Sequence, residues 1–245
     1  MHFANAGIVE ALLSSPVFIY TTISPCVNGA IDVIKKFSKA GIICVAGHST
    51  GSSELFDKAV EAGLSGICHF LSNNTRLSDV FKEQGVRKPT MDEAALLHEG
   101  VFLEIICDLQ HVDPVYIKMA LKLKGAERIA VITDSVSAAG LPEGVYEYHD
   151  GTKYEVKDGG VHECETGVRF GSCVNQVEEF ANLVETIGTS HHEAARMCAL
   201  TPAEILNVDS RKGSLDPGKD ADILVLDRDT YEIQAVFAKG IRVEL

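Results

Sequence analysis

No stretch of the sequence approaches the ~20 consecutive apolar residues that a bilayer-spanning helix needs. The opening MHFANAGIVE also lacks the basic start and long apolar centre of a signal peptide. The expectation is a cytoplasmic protein with no membrane partner. Cations are scarce: 22 Lys and Arg stand against 35 Asp and Glu, for a net charge of −13. Nucleic acids and anionic membrane surfaces both select basic patches, so neither is expected as a partner. A small anion bound at a locally basic site stays open. The seven cysteines are odd in number and scattered, with no Cys-x-x-Cys pair. They read as reduced core thiols and not as a disulfide frame. Internal repeats, low-complexity tracts and linker-like stretches are absent as well.

What is present is a regular alternation. With 46% apolar residues over 245 positions, the chain can build a substantial core. Short β-branched runs, VFIYTTIS (17–24), IICVAG (42–47), GICHF (66–70), VFLEIICD (101–108) and RIAVITD (128–134), read as strands. Between them GAIDVIKKFSKAG, SSELFDKAVEAG, TMDEAALLHEG and PVYIKMALKLKG carry apolar residues at helical spacing, each with a glycine where the helix would stop. Strand and helix in turn, with short links, predict an α/β fold around a parallel sheet, open or closed into a barrel. After Asp134 a glycine-punctuated, alternating segment predicts a β-hairpin excursion near 145–170. Helices resume at VNQVEEFANLVETIG, SHHEAARMCAL and TPAEILNV, where Thr201 and Pro202 make a helix start. The expected division is a barrel-like part over 1–207 and a β segment over 208–245.

Polar residues fall where the strands end. His48 follows CVAG, His69 lies in ICHF, His111 lies just past IICDLQ, and Asp134 closes VITD. In parallel α/β folds the carboxyl ends of the strands share one face, and ligands bind there. Each residue taken alone also suits a turn or a hydrogen-bonded core position. Together they predict a common site, where Gly47 allows the tight turn that presents His48. Two imidazoles with a carboxylate suit a divalent metal such as zinc, which makes a bound water acidic at neutral pH. The carboxylate can take that proton and return it to a leaving group. The pattern points to metal-assisted hydrolysis. His98, His149, His162, His191 and His192 read as solvated or structural.

The segments AGIICVAGHST, AGLSGICHFLSNN, GVFLEIICDLQHV, RIAVITDSVSAAGLPEG, RFGSCVNQVEEFANLV and TPAEILNVDSRKGSLDPGKDADILVLD resemble the N-acetylglucosamine-6-phosphate deacetylases of the amidohydrolase superfamily over nearly the whole chain. The resemblance implies a TIM-type (β/α)8 barrel with a small β-sandwich. It implies hydrolysis of the acetamide of N-acetylglucosamine 6-phosphate to glucosamine 6-phosphate and acetate. His48 and His69 look like the imidazole metal ligands, for zinc or alternatively iron, and Asp134 looks like the acid-base residue. His111, Arg87, Asn73 and His2 look like substrate-binding residues, with Arg76 the rival of Arg87. Members of this family are commonly homodimers, which implies a second copy as partner.

Two features depart from the family pattern. The five strand candidates fall short of the eight of a closed barrel. The family's glutamate ligand, in a Leu-Glu-Gly-Pro type motif ahead of the segment resembling MHFANAG, is also missing. The expectation is a chain that lacks the amino-terminal part of such a protein, with an incomplete barrel and the carboxyl-terminal piece of the sandwich. Loss of the glutamate would impair turnover. A silent sugar-phosphate-binding paralogue and another amidohydrolase acting on a cyclic or acyl amide are the alternative functions. Glu10 and Asp108 are the carboxylates that could stand in for the glutamate.

Overall fold

The structure, a computed structural model, describes residues 5–72, 81–83 and 86–244. A first helix, α1 (Ala6–Leu13), is capped by Asn5, whose side chain accepts from the Gly7 and Ile8 N–H groups. The sequence pattern does not signal this helix. Then come β1 (Tyr20–Ile23), α2 (Ala30–Lys39), β2 (Ile43–Ala46), α3 (Ser53–Glu61) and β3 (Gly66–Ile67). A ribbon of β4 (Phe81–Glu83) and β5 (Val86–Arg87) precedes α4 (Met91–Leu97), β6 (Phe102–Ile105), α5 (Pro114–Lys124) and β7 (Ile129–Val131). Strands β1, β2, β3, β6 and β7 pair in that order, all parallel, in one five-stranded sheet. Its strands and helices lie where the alternation places them.

Local chemistry explains the helix ends. Asp113 accepts from the Val115 N–H, Pro114 takes the first helical position of α5, and Gly125 at φ +71 closes it. Thr90 and Glu93 cap α4 reciprocally. One side of the sheet is the main core. Cys44, Ala46, Ile67, Leu103, Ile105, Ile129 and Val131 join Ile34, Phe37, Phe56, Ile117, Leu183 and Met197 there, all buried.

By strand alternation the other side carries Tyr20, Thr22, Val45, Gly66, Phe102 and Glu104. The Tyr20 hydroxyl donates to the Glu104 carboxylate although two strands separate β1 from β6. Three strand spacings on a flat sheet amount to about 14 Å, so the contact requires a sheet curled around this face. Gly66 provides the room: a Cβ there would lie 2.6 Å from the Phe102 ring. The curl and the β/α order are those of a barrel segment, in which β1 and β7 each have one neighbour among the described residues.

The excursion after Asp134 is larger than a hairpin. β8 (Gly144–Glu147), β9 (Lys153–Lys157), β10 (Gly160–Glu163) and β11 (Arg169–Ser172) form a four-stranded antiparallel sheet with its own cluster of Ala138, Tyr154, Val156 and Val161. It returns to the parallel sheet where Ser172 bridges Ser135 and its hydroxyl donates to the Thr133 carbonyl. Helix α6 (Gln176–Asn182), with an Asn175–Glu178 capping box, continues through a π-helical turn to Ile187. A second helical run begins at the Ser190–Glu193 capping box with α7 (His191–Ala195), passes a π turn at Arg196–Leu200 and ends in α8 (Thr201–Ile205). Thr201 therefore does not start a helix from a free end. Its buried hydroxyl donates to the Ala126 carbonyl, and the wider π turn accommodates Pro202 in a continuous helical path. The tail forms a three-stranded antiparallel sheet of β12 (Ile223–Leu226), β13 (Ile233–Ala238) and β14 (Ile241–Val243). Among the described residues no helix is long and apolar enough to cross a membrane.

Candidate active site

Strands β2 and β3 run side by side, with Val45 opposite Gly66 and Ala46 opposite Ile67. Their ends therefore bring His48 and His69 together. The two Nε2 atoms are 3.1 Å apart and the rings meet edge to face, with centroids 4.6 Å apart. His69 is buried and His48 exposed. Burial first, and then the neighbouring His69, lower the His48 pKa, while the charge of Asp134 opposes them. The charge of Asp134, exposed three residues past β7, thus reaches His48.

All three residues leave their strands with a left-handed backbone. φ is +48 at His48, +33 at His69 and +46 at Asp134. Such values are uncommon for residues other than glycine and cluster where a fold holds functional side chains against local preference. Gly47 is not the residue that makes the turn. It is buried, and a Cβ on it would lie 2.5 Å from Thr22 Cγ2 and 3.2 Å from Cys68 Cβ. Its role is close approach between strands, and the sharp backbone step falls on His48 itself.

The pair fits a divalent metal. Two nitrogens bound tetrahedrally to zinc at 2.0–2.1 Å stand about 3.3 Å from each other, near the 3.1 Å observed. His69 Nδ1 is buried and has no hydrogen-bond partner among the described residues. No third His, Cys, Asp or Glu joins the two imidazoles in a metal-holding cluster among the described residues. The carboxylates considered as substitutes point elsewhere. Glu10 lies 3.5 Å from Lys36, and Asp108 is bound to His111.

His111 does not join the His48–His69 pair. Its Nδ1 stands 2.7 Å from Asp108 Oδ2, and its Nε2 is buried without a partner among the described residues. Arg87 ends β5, and its side chain lies outside the described set, as do residues Asn73, Arg76 and His2. His98, read from the sequence as solvated or structural, lies 2.8 Å from Asp57.

Beneath the pair lies a group that sequence reasoning passed over. Glu104 accepts from Tyr20, with Cys68 alongside and His69 and Asp134 within electrostatic reach. Burial raises the Glu104 pKa, although its bonds to Tyr20 and Cys68 oppose the shift. Burial, followed by Glu104, pushes the Cys68 thiol up to about 12 and holds the Tyr20 phenol above its usual range. The available signal was a lone glutamate inside the apolar run VFLEII.

The amidohydrolase family matches residues 28–243. An N-acetylgalactosamine-6-phosphate deacetylase of Escherichia coli O157:H7 is 32% identical over 218 residues, 89% of this chain and 55% of the relative. An N-acetylglucosamine-6-phosphate deacetylase of Vibrio furnissii is 31% identical over 89% of this chain and 52% of its own length. The crystal structure of the N-acetylglucosamine-6-phosphate deacetylase of Pasteurella multocida superposes with a TM-score of 0.89 at 25% identity, over 99% of this chain and 61% of that one. The chain thus spans about half the length of the curated relatives it matches. With the family matched over most of its length and the strand-end histidines in place, the chain belongs to the amidohydrolase family, among relatives that are amino-sugar-phosphate deacetylases.

Proposed function

We propose that this chain serves the metal-dependent hydrolysis of the acetamide of N-acetylglucosamine 6-phosphate, yielding glucosamine 6-phosphate and acetate. The observation that carries the reading is the pairing of His48 and His69 through their Nε2 atoms at the ends of adjacent strands, with Asp134 within electrostatic reach of His48. His48 and His69 would hold the metal, zinc or alternatively iron. When bound, that ion polarises an acyl oxygen and acidifies water. Asp134, exposed to the open face, takes the proton from the attacking water. As the C–N bond breaks, Asp134 returns it to the departing amine, so that acetate and a free amine leave. Arg87, Asn73 and His111 are assigned to the sugar-phosphate region, and His2 to orienting the scissile amide. Seven free thiols support a reducing cytoplasmic setting, and a second copy of the chain is the expected partner.

The test is acetate release by the purified chain with added zinc or iron, on both the gluco and galacto epimers, since the relatives named above divide between them. Release from either epimer supports the hydrolase reading, and preference for the first supports the substrate. Thermal stabilisation by the sugar phosphate without acetate would overturn hydrolysis in favour of a binding role.

A further inference from the structure

The segment after β6 is held by polar contacts that the reaction above does not use. Glu179 and Asn182, one turn apart on α6, bracket a single peptide. Glu179 Oε1 accepts from the Cys107 N–H at 3.0 Å, and Asn182 Nδ2 donates to the Cys107 carbonyl at 2.9 Å. Asp108 follows directly. Its Oδ1 accepts from the backbone N–H groups of Gln110 at 2.9 Å and His111 at 2.8 Å, which closes a turn through Leu109 at φ +61. Its Oδ2 lies 2.7 Å from His111 Nδ1, and the two side chains are only 4% and 3% exposed.

Burial alone would raise the Asp108 pKa, but its bonds to His111 and Gln110 outweigh that and hold the carboxyl below its usual range. An ionised carboxylate has no proton to give, so Nδ1 carries the hydrogen of the contact. Nε2 is left buried and without a partner among the described residues. A buried polar atom in that condition carries an uncompensated desolvation cost, which a ligand group meeting it would offset.

We propose that Asp108 is a positioning residue of the sugar-phosphate site. It fixes His111 so that Nε2, the unprotonated ring nitrogen, accepts a hydrogen bond from a hydroxyl of the sugar phosphate, while Glu179 and Asn182 anchor the peptide from which the pair springs. The identity of the ligand rests on the function proposed above; the geometry of the pair does not.

Asp108→Asn is the informative variant. It keeps the Oδ1 acceptor that closes the turn but places an N–H opposite Nδ1, so the neutral ring must move its proton to Nε2. The expected result is an increase of about tenfold or more in KM for N-acetylglucosamine 6-phosphate, a smaller change in kcat and an unchanged melting temperature. Nitrogen-15 NMR of the ligand-free protein, at a pH where the ring is neutral and with His111→Ala to assign the signal, should show the proton on Nδ1 in the parent chain and on Nε2 in the variant. A proton on Nε2 in the parent chain overturns the proposal, as does a variant with unchanged KM. Should the parent chain release no acetate, the tautomer and the calorimetric affinity for the sugar phosphate still decide the role of Asp108. The absent turnover would then count against the hydrolase reading alone.

Discussion

The Nε2 atoms of His48 and His69 stand 3.1 Å apart although twenty residues separate them in the chain, because β2 and β3 are adjacent parallel strands that end together. A cation offered to this pair should replace the contact between the rings with two coordinate bonds. His48→Ala and His69→Ala should each lower the zinc retained by the purified chain at least about tenfold, measured by elemental analysis after dialysis. Because His69 is buried and His48 exposed, the His69 variant should also lower the melting temperature, and the His48 variant should leave it nearly unchanged. Equal zinc in both variants and the parent would remove the pair from the metal site.

Much of this was legible in the sequence because strand and helix periodicities differ, and because chemistry at a strand's end is a local signal. His48, His69 and Asp134 could be picked out on that ground. The left-handed φ of all three could not, since none of them is a glycine. Nor could the sequence separate His111 from the histidine pair. Its partner Asp108 lies three residues upstream and reads equally well as a turn former. The contact of Tyr20 with Glu104 depends on the curl of the sheet, which no local pattern encodes. Residues Asn73 and His2 and the side chain of Arg87 lie outside the described set, so they enter the site as assignments from resemblance.

The charge of Asp134 reaches His48, yet its proposed role is proton transfer and not metal retention. Asp134→Asn should therefore keep the parent chain's zinc content while acetate release falls by at least about 100-fold, in line with the loss of a general acid-base residue. Loss of zinc together with activity would make Asp134 a ligand. Undiminished acetate release would remove it from the reaction.

Gly47 offers a test of how the fold aims His48. A methyl group there would lie 2.5 Å from Thr22 Cγ2 and 3.2 Å from Cys68 Cβ, closer than packed side chains tolerate. Gly47→Ala should destabilise the chain by about 1–3 kcal/mol in denaturant unfolding. It should also weaken zinc retention, because β1 and β2 must separate just where His48 leaves the sheet. A variant as stable as the parent would show that the strands part there without cost.

Glu179 carries a pH dependence of its own. It is fully buried and its Oε2 has no partner among the described residues. Burial raises its pKa from 4.5 to about 8, partly offset by the Cys107 N–H bond. The folded chain therefore keeps a proton that the unfolded chain releases once the pH exceeds the ordinary carboxyl value. The stability associated with this group is full below that value and is lost progressively as the pH rises toward about 8, with little further change above it. Glu179→Gln keeps an acceptor for the Cys107 N–H and removes the titration. Melting temperatures followed from about pH 5 to about pH 9 should fall more steeply in the parent than in the variant, with the gap widening up to about pH 8 and then levelling. Parallel curves would mean that Glu179 is ionised in the folded chain, and would require a counter-charge at its buried Oε2.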